Sequence, residues 1–211
     1  MEKIMNESDF RTHSMRKRTA PLWLMFCLSF LWSKASTAGT EMIDFTQPQE
    51  YKNWAATNDN VMGGISTGGF IYDDGISQFR GELSLENNGG FSSINRSVES
   101  VNSDVDSIEL KFVGDGRTYQ LRFTTWIYGN RTNYKHSFET IKGEQLKKVF
   151  HLKDFQAVFR GRLLSDAPEL KAQDIKQVGF LIADKQPSPF ELDLIRLHFK
   201  TSQPITSPEA N

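Results

Sequence analysis

The stretch Ser107-Ile108-Glu109-Leu110-Lys111-Phe112-Val113-Gly114-Asp115-Gly116-Arg117-Thr118-Tyr119-Gln120-Leu121-Arg122-Phe123 decides the fold. Ile108, Leu110 and Phe112 alternate with Glu109 and Lys111, and Tyr119, Leu121 and Phe123 alternate with Gln120 and Arg122. Alternation with period two marks strands that bury one face. Between the two runs, Asp115-Gly116 is the residue pair that two-residue β-turns favour, so the stretch reads as a β-hairpin.

The same grammar continues on both sides. Val178, Phe180 and Ile182 repeat the period, and Phe190, Leu192 and Leu194 begin it again. Turn signals separate the runs at Gly63-Gly64, Gly68-Gly69, Asp73-Asp74-Gly75, Asn87-Asn88-Gly89-Gly90 and Gly129-Asn130. No long stretch keeps a helical period, and short helical turns are expected only near 48–54 and 172–175. Short strands with Gly-rich turns and no interior linker predict one all-β domain, a sandwich or jelly roll over residues 39–200. Residues 201–211, with Pro204 and Pro208, read as a frayed tail.

Composition agrees with that reading. A chain of 211 residues with 38% hydrophobic residues and 16 Phe can build a full core. Lys and Arg number 25 against 26 Asp and Glu, a balance that argues against a nucleic-acid partner. The basic residues are concentrated early, which leaves the rest mildly acidic. Arg16-Lys17-Arg18, an apolar run at 21–32 and the small-x-small triplet Ser36-Thr37-Ala38 form the three parts of a secretory signal. The run falls short of the roughly 20 residues that a spanning helix needs. Export to the periplasm or the exterior, with cleavage after Ala38, is therefore expected. Phe26 before Cys27 argues against a lipoprotein signal. Cys27 is the one cysteine, so the mature chain would have none and would draw nothing from disulfides.

A search for chemistry returns little. His13, His136, His151 and His198 have no zinc-type spacing, either with one another or with cysteine. No nucleophile elbow is present, and Gly63-Gly64 is not followed by the Lys of a P-loop. The chain is accordingly expected to be non-enzymatic and to need no metal or cofactor. Two polar clusters remain. Asn58-Asp59-Asn60-Val61-Met62-Gly63-Gly64 places three short polar side chains ahead of an apolar pair and two glycines. This suits either a loop that caps the sandwich or a recognition rim. Arg96, Arg117, Arg122, Arg160 and Arg162 lie within or beside apolar runs, where a guanidinium needs a carboxylate. Asp59, Asp115 and Asp184 are the candidate partners. Asp59, Arg96 and Arg160 are expected to form one partly buried network that ties residues 58–64 to the sandwich.

These clusters carry a family resemblance. Residues 58–66, Asn58-Asp59-Asn60-Val61-Met62-Gly63-Gly64-Ile65-Ser66, resemble the opening signature of the complex I intermediate-associated protein 30 family. The order continues through 79–93 (from Phe79-Arg80-Gly81 to Phe91-Ser92-Ser93), Gly114-Asp115-Gly116-Arg117, Phe159-Arg160-Gly161-Arg162 and 175–186 (including Gly179-Phe180, Asp184-Lys185-Gln186). The chain departs from the family pattern at Gln145, His151, Ala157 and Ser188, where the family has Trp, Pro, Pro and Gly. The resemblance implies a galactose-binding-like β-sandwich and a chaperone-like role in assembly, with a protein partner such as a membrane complex or its intermediate. It implies no catalysis. Trp54, Trp126 and the amide supply leave a carbohydrate-binding module as the alternative, with a saccharide as ligand. The candidate partner- or ligand-binding residues are Asp59, Asn60, Met62, Arg96, Arg117, Arg160, Arg162, Asp184 and Lys185.

Overall fold

The computed structural model describes residues 42–127 and 129–202. The expected signal sequence, Cys27, His13 and the tail beyond 202 lie outside the described residues. In chain order the strands are β1 (Met42–Asp44), β2 (Ala55–Asn58), β3 (Thr67–Asp73), β4 (Ile76–Glu82), β5 (Ser92–Ser97) and β6 (Ser107–Gly114). They continue with β7 (Thr118–Ile127), β8 (Asn130–Glu139), β9 (Gln145–His151) and β10 (Gln156–Phe159). The last three are β11 (Arg162–Leu163), β12 (Ile175–Ile182) and β13 (Pro189–Lys200). No α-helix occurs among the described residues. The expected helical turns are 3-10 turns at Glu50–Asn53 and Ala172–Asp174.

The strands form two sheets with antiparallel pairing. One runs β3-β4-β13-β6-β9, with β1 also on β13, and the other runs β11-β10-β8-β7-β12-β5-β2. Alternation dictates the core between them. Ile108, Leu110 and Phe112 of β6 are fully buried, as are Tyr119, Leu121 and Phe123 of β7. Aromatic rings join the sheets, with Phe112 on Phe138 at 5.1 Å, Phe79 on Tyr119 at 6.3 Å and Phe123 on Phe199 at 6.1 Å between centroids. Such pairs add about 0.5–1.5 kcal/mol each beyond the area they bury.

The hairpin expected at Asp115-Gly116 is not formed. β6 pairs with β13 and β9, whereas β7 pairs with β12 and β8, so the turn is a corner that carries the chain from one sheet to the other. The hairpin and the corner bury the same side chains, which is why alternation does not separate them. In the corner the two apolar faces meet across the core. Gly116 takes the positive φ of 93° that the turn needs. Thr140 closes it: its hydroxyl accepts from Gly116 N at 2.9 Å and donates to Arg117 O at 2.9 Å. A Cβ on Gly114 would run into the Thr140 side chain. Two-residue hairpins occur instead at Asp74-Gly75, between β3 and β4, and at Arg160-Gly161, between β10 and β11. All four of these residues have the positive φ that such turns demand.

Candidate functional site

After β2 the chain makes a 3-10 turn, Asp59–Met62, and leaves it through Gly63 at φ 93°. The Asp59 carboxylate is fully buried. It accepts from Ser66 N at 2.9 Å, Ser66 Oγ at 2.5 Å, Gly90 N at 2.6 Å and Phe91 N at 3.2 Å. Two glycines make room for it, since a Cβ on Gly64 would strike Asp59 Cγ and one on Gly89 would lie 2.6 Å from Asp59 Oδ2. Burial pushes this carboxyl up the pH scale, but the bonds from Ser66, Gly90 and Phe91 outweigh it and hold the group below its ordinary value. Asn58 is tied down in the same way. Its Nδ2 donates to Gly68 O at 3.0 Å, and its Oδ1 accepts from Ser92 Oγ at 2.7 Å.

Asp59 and Asn58 therefore turn inward, whereas the apolar members of the motif face out. Val61 is 69% exposed, Met62 66%, Ile65 51% and Leu85 42%. Leu85 follows Ser84, whose N donates to Ser66 Oγ at 2.9 Å. Asn60 is exposed among them.

The expected network of Asp59, Arg96 and Arg160 does not exist. Asp59 forms no ion pair among the described residues, because loop N–H groups and Ser66 supply the donors that an arginine would have supplied. Arg96 Nη1 pairs instead with Glu50 Oε1 at 2.5 Å, in the Glu50–Asn53 turn. Arg160 is the first turn residue of an exposed hairpin, with φ 47° and its guanidinium 5.4 Å from the Phe159 ring. Arg162, the hairpin partner of Phe159, is exposed as well.

Arg117 and Asp184 do come together. Nε donates to Asp184 Oδ2 at 2.9 Å and Nη2 to Oδ1 at 2.6 Å, a two-pronged pair. The guanidinium also reaches the carbonyls of Ser188, Pro189 and Gln186. Burial alone would lower the Arg117 pKa, yet Asp184 raises it above the usual arginine value. Lys185 follows on an exposed turn at φ 63°. Leu83 N donates to Ser188 O, so the Arg117 cluster and the Asp59 cluster meet at the adjacent residues Leu83 and Ser84. Glu50 and Ser66 are the structural partners that sequence reasoning missed. The signal available for Ser66 was a hydroxyl just past an Asp-containing, glycine-rich turn.

Two antiparallel sheets closed on one aromatic core define a galactose-binding-like β-sandwich of the jelly-roll kind. The chain belongs to the complex I intermediate-associated protein 30 family, whose model matches residues 43–194. No curated protein matches it. Among solved structures it is similar to the family 11 carbohydrate-binding module of a cellulosomal cellulase of Clostridium thermocellum, with TM-score 0.59 and 13% identity over 78% of this chain and 97% of that one. The family 11 module from Clostridium thermocellum in complex with a β-1,3-1,4-mixed-linked tetrasaccharide gives TM-score 0.53 and 13% identity, over 72% of this chain and 91% of that one. At such identity the likeness is one of fold.

Proposed function

We propose that this protein is a non-catalytic, assembly-factor-like binding protein that takes a protein partner on the apolar loop of residues 60–65. One observation carries the reading: Asp59 is fully buried with Asn58 half-buried beside it, while Val61, Met62 and Ile65 are exposed. Water alone would favour the reverse arrangement. A loop held rigid from beneath, with apolar side chains outward, has its ordering entropy settled before binding and offers area to another apolar surface. The family's name refers to an intermediate of complex I, and membership supports a partner that is itself an assembly intermediate. With the signal sequence at 16–38, that partner belongs to the cell envelope. A saccharide reading draws on the fold shared with the carbohydrate-binding module, but Val, Met and Ile offer hydroxyl groups no hydrogen bonds, so this loop favours protein.

The test is mild crosslinking and co-purification from envelope preparations, with the wild type beside a Val61→Asp, Met62→Asp double variant. Both positions are exposed, so the variant should melt within about 2 °C of the wild type, as surface changes of under about 0.5 kcal/mol do. An envelope or membrane protein enriched by the wild type should be lost from the variant. Failure of the wild type to enrich any such protein over control, or equal capture by the variant, would overturn the reading.

A further inference from the structure

The outer face of the seven-stranded sheet carries a second feature. In β7, Tyr119, Leu121 and Phe123 fill the core, so Gln120, Arg122, Thr124 and Trp126 face away from it. Register then builds rows across the strands. Asn95, Gly179, Arg122 and Lys135 form one row; Gln177, Thr124 and Asn133 form the next; Trp126 stands opposite Arg131. Gly179 leaves the floor open between Asn95 and Arg122, where a Cβ would lie 2.7 Å from Ile94 O and 3.2 Å from the Asn95 Cβ. The result is a depression of about 130 Å³ whose polar wall includes Asn95, Arg122, Thr124, Arg131, Asn133 and Gln177, with no Asp or Glu lining it.

The charges there are uncompensated. Arg122 is partly buried, and its only hydrogen bond to protein among the described residues is from Nε to Gln120 Oε1 at 3.1 Å. Neither Nη has a partner among those residues. Arg131 lies 5.2 Å from the Trp126 ring centroid and pairs with no carboxylate among the described residues. Arg96 and Arg117, by contrast, each hold one. Burial pulls the Arg122 pKa below the usual arginine value with nothing to offset it, the opposite of Arg117. Thr124 Oγ1 donates to Asn133 Oδ1 at 2.8 Å, which leaves the Asn133 amide hydrogens for another partner. Donors thus converge on a small space that lacks a counter-charge.

We propose that this depression binds an anionic saccharide, whose carboxylate or sulfate group pairs with Arg122 and Arg131 while its hydroxyls bond to Asn95, Asn133 and Gln177. Two cations without a carboxylate call for an oxyanion, which a planar guanidinium engages through two parallel bonds. Amides and hydroxyls around them, about 4.8 Å from strand to strand within each row, suit a hydroxyl-rich chain better than a bare ion. The site shares no residue with the loop at 60–65, so each proposal can fail without the other.

Titration calorimetry of the purified protein with oligogalacturonate, a heparin-derived oligosaccharide, a neutral mixed-linked β-glucan oligosaccharide, inorganic sulfate and an oligoglutamate peptide tests it. At least one of the two acidic oligosaccharides should bind, more weakly as salt rises. The neutral sugar, sulfate alone and the peptide should each bind at least about tenfold more weakly, the worth of one charge-assisted hydrogen bond. Arg122→Gln should lose roughly tenfold or more in affinity and melt no lower than the wild type, since it removes an unpaired, partly buried cation. Should that variant fail to fold, Arg131→Gln on the exposed rim gives the same comparison. The proposal is overturned if neither acidic oligosaccharide binds, if the neutral sugar, sulfate or peptide binds as tightly, or if the folded variant binds like the wild type.

Discussion

Asp59 holds a whole loop through one carboxylate and four donors. Its folded-state pKa lies below the ordinary 3.8, so the unfolded chain takes up a proton first as the pH falls. Its contribution to stability is therefore complete well above pH 4 and is lost as the pH drops below about 4 through the folded value. Asp59→Asn replaces an acceptor oxygen by an amide that faces N–H donors, and should cost about 3 kcal/mol near pH 7. Urea denaturation at pH 7, 5 and 3 checks this: the gap between wild type and variant should narrow at pH 3, and an unchanged gap would mean that the charge is not what holds the loop. The sequence singled out Asp59 but assigned it the wrong partners. Side-chain chemistry suggests arginine as the mate of a buried carboxylate, whereas glycine-rich backbone can supply the same donors without leaving a mark on composition.

At the scale of elements, the corner between β6 and β7 depends on Arg117, which pins it to the chain between β12 and β13 through Asp184 and three carbonyls. Arg117→Met would leave that carboxylate buried and unpaired, at a cost of about 3–5 kcal/mol. For a domain of this size the melting temperature should fall by roughly 6–20 °C in a thermal scan; a loss under about 2 °C would show that the corner holds without the pair. Asp184 was legible as an arginine partner because both residues interrupt apolar runs. That the corner was no hairpin could not be read, because strand neighbours are chosen by contacts distant in sequence while alternation records only which face is buried. Asp74-Gly75, by contrast, turns where its residues say it should.

For the molecule as a whole, the all-β sandwich was legible because its core repeats every second residue along β6, β7, β12 and β13. The division of strands between sheets was not, and neither was the depression around Arg122. Outward residues of a strand look alike in sequence whether they line a hollow or meet open water, and Gly179 reads as an ordinary strand glycine. The proposed signal at 16–38 makes one further prediction: the intact mass of the mature protein should begin at Gly39, and a form that retains residues 22–32 would mean a membrane-anchored chain. The position of β13 bears on the proposed export. It comes last in the domain yet sits in the middle of its sheet, between β4 and β6, and also holds β1. While the chain emerges from a ribosome or threads through a channel N-terminus first, β3–β4 and β6–β9 remain two ribbons with nothing between them. The domain cannot close until Pro189–Lys200 arrives, an order that would keep an exported polypeptide slack until its final strand had passed.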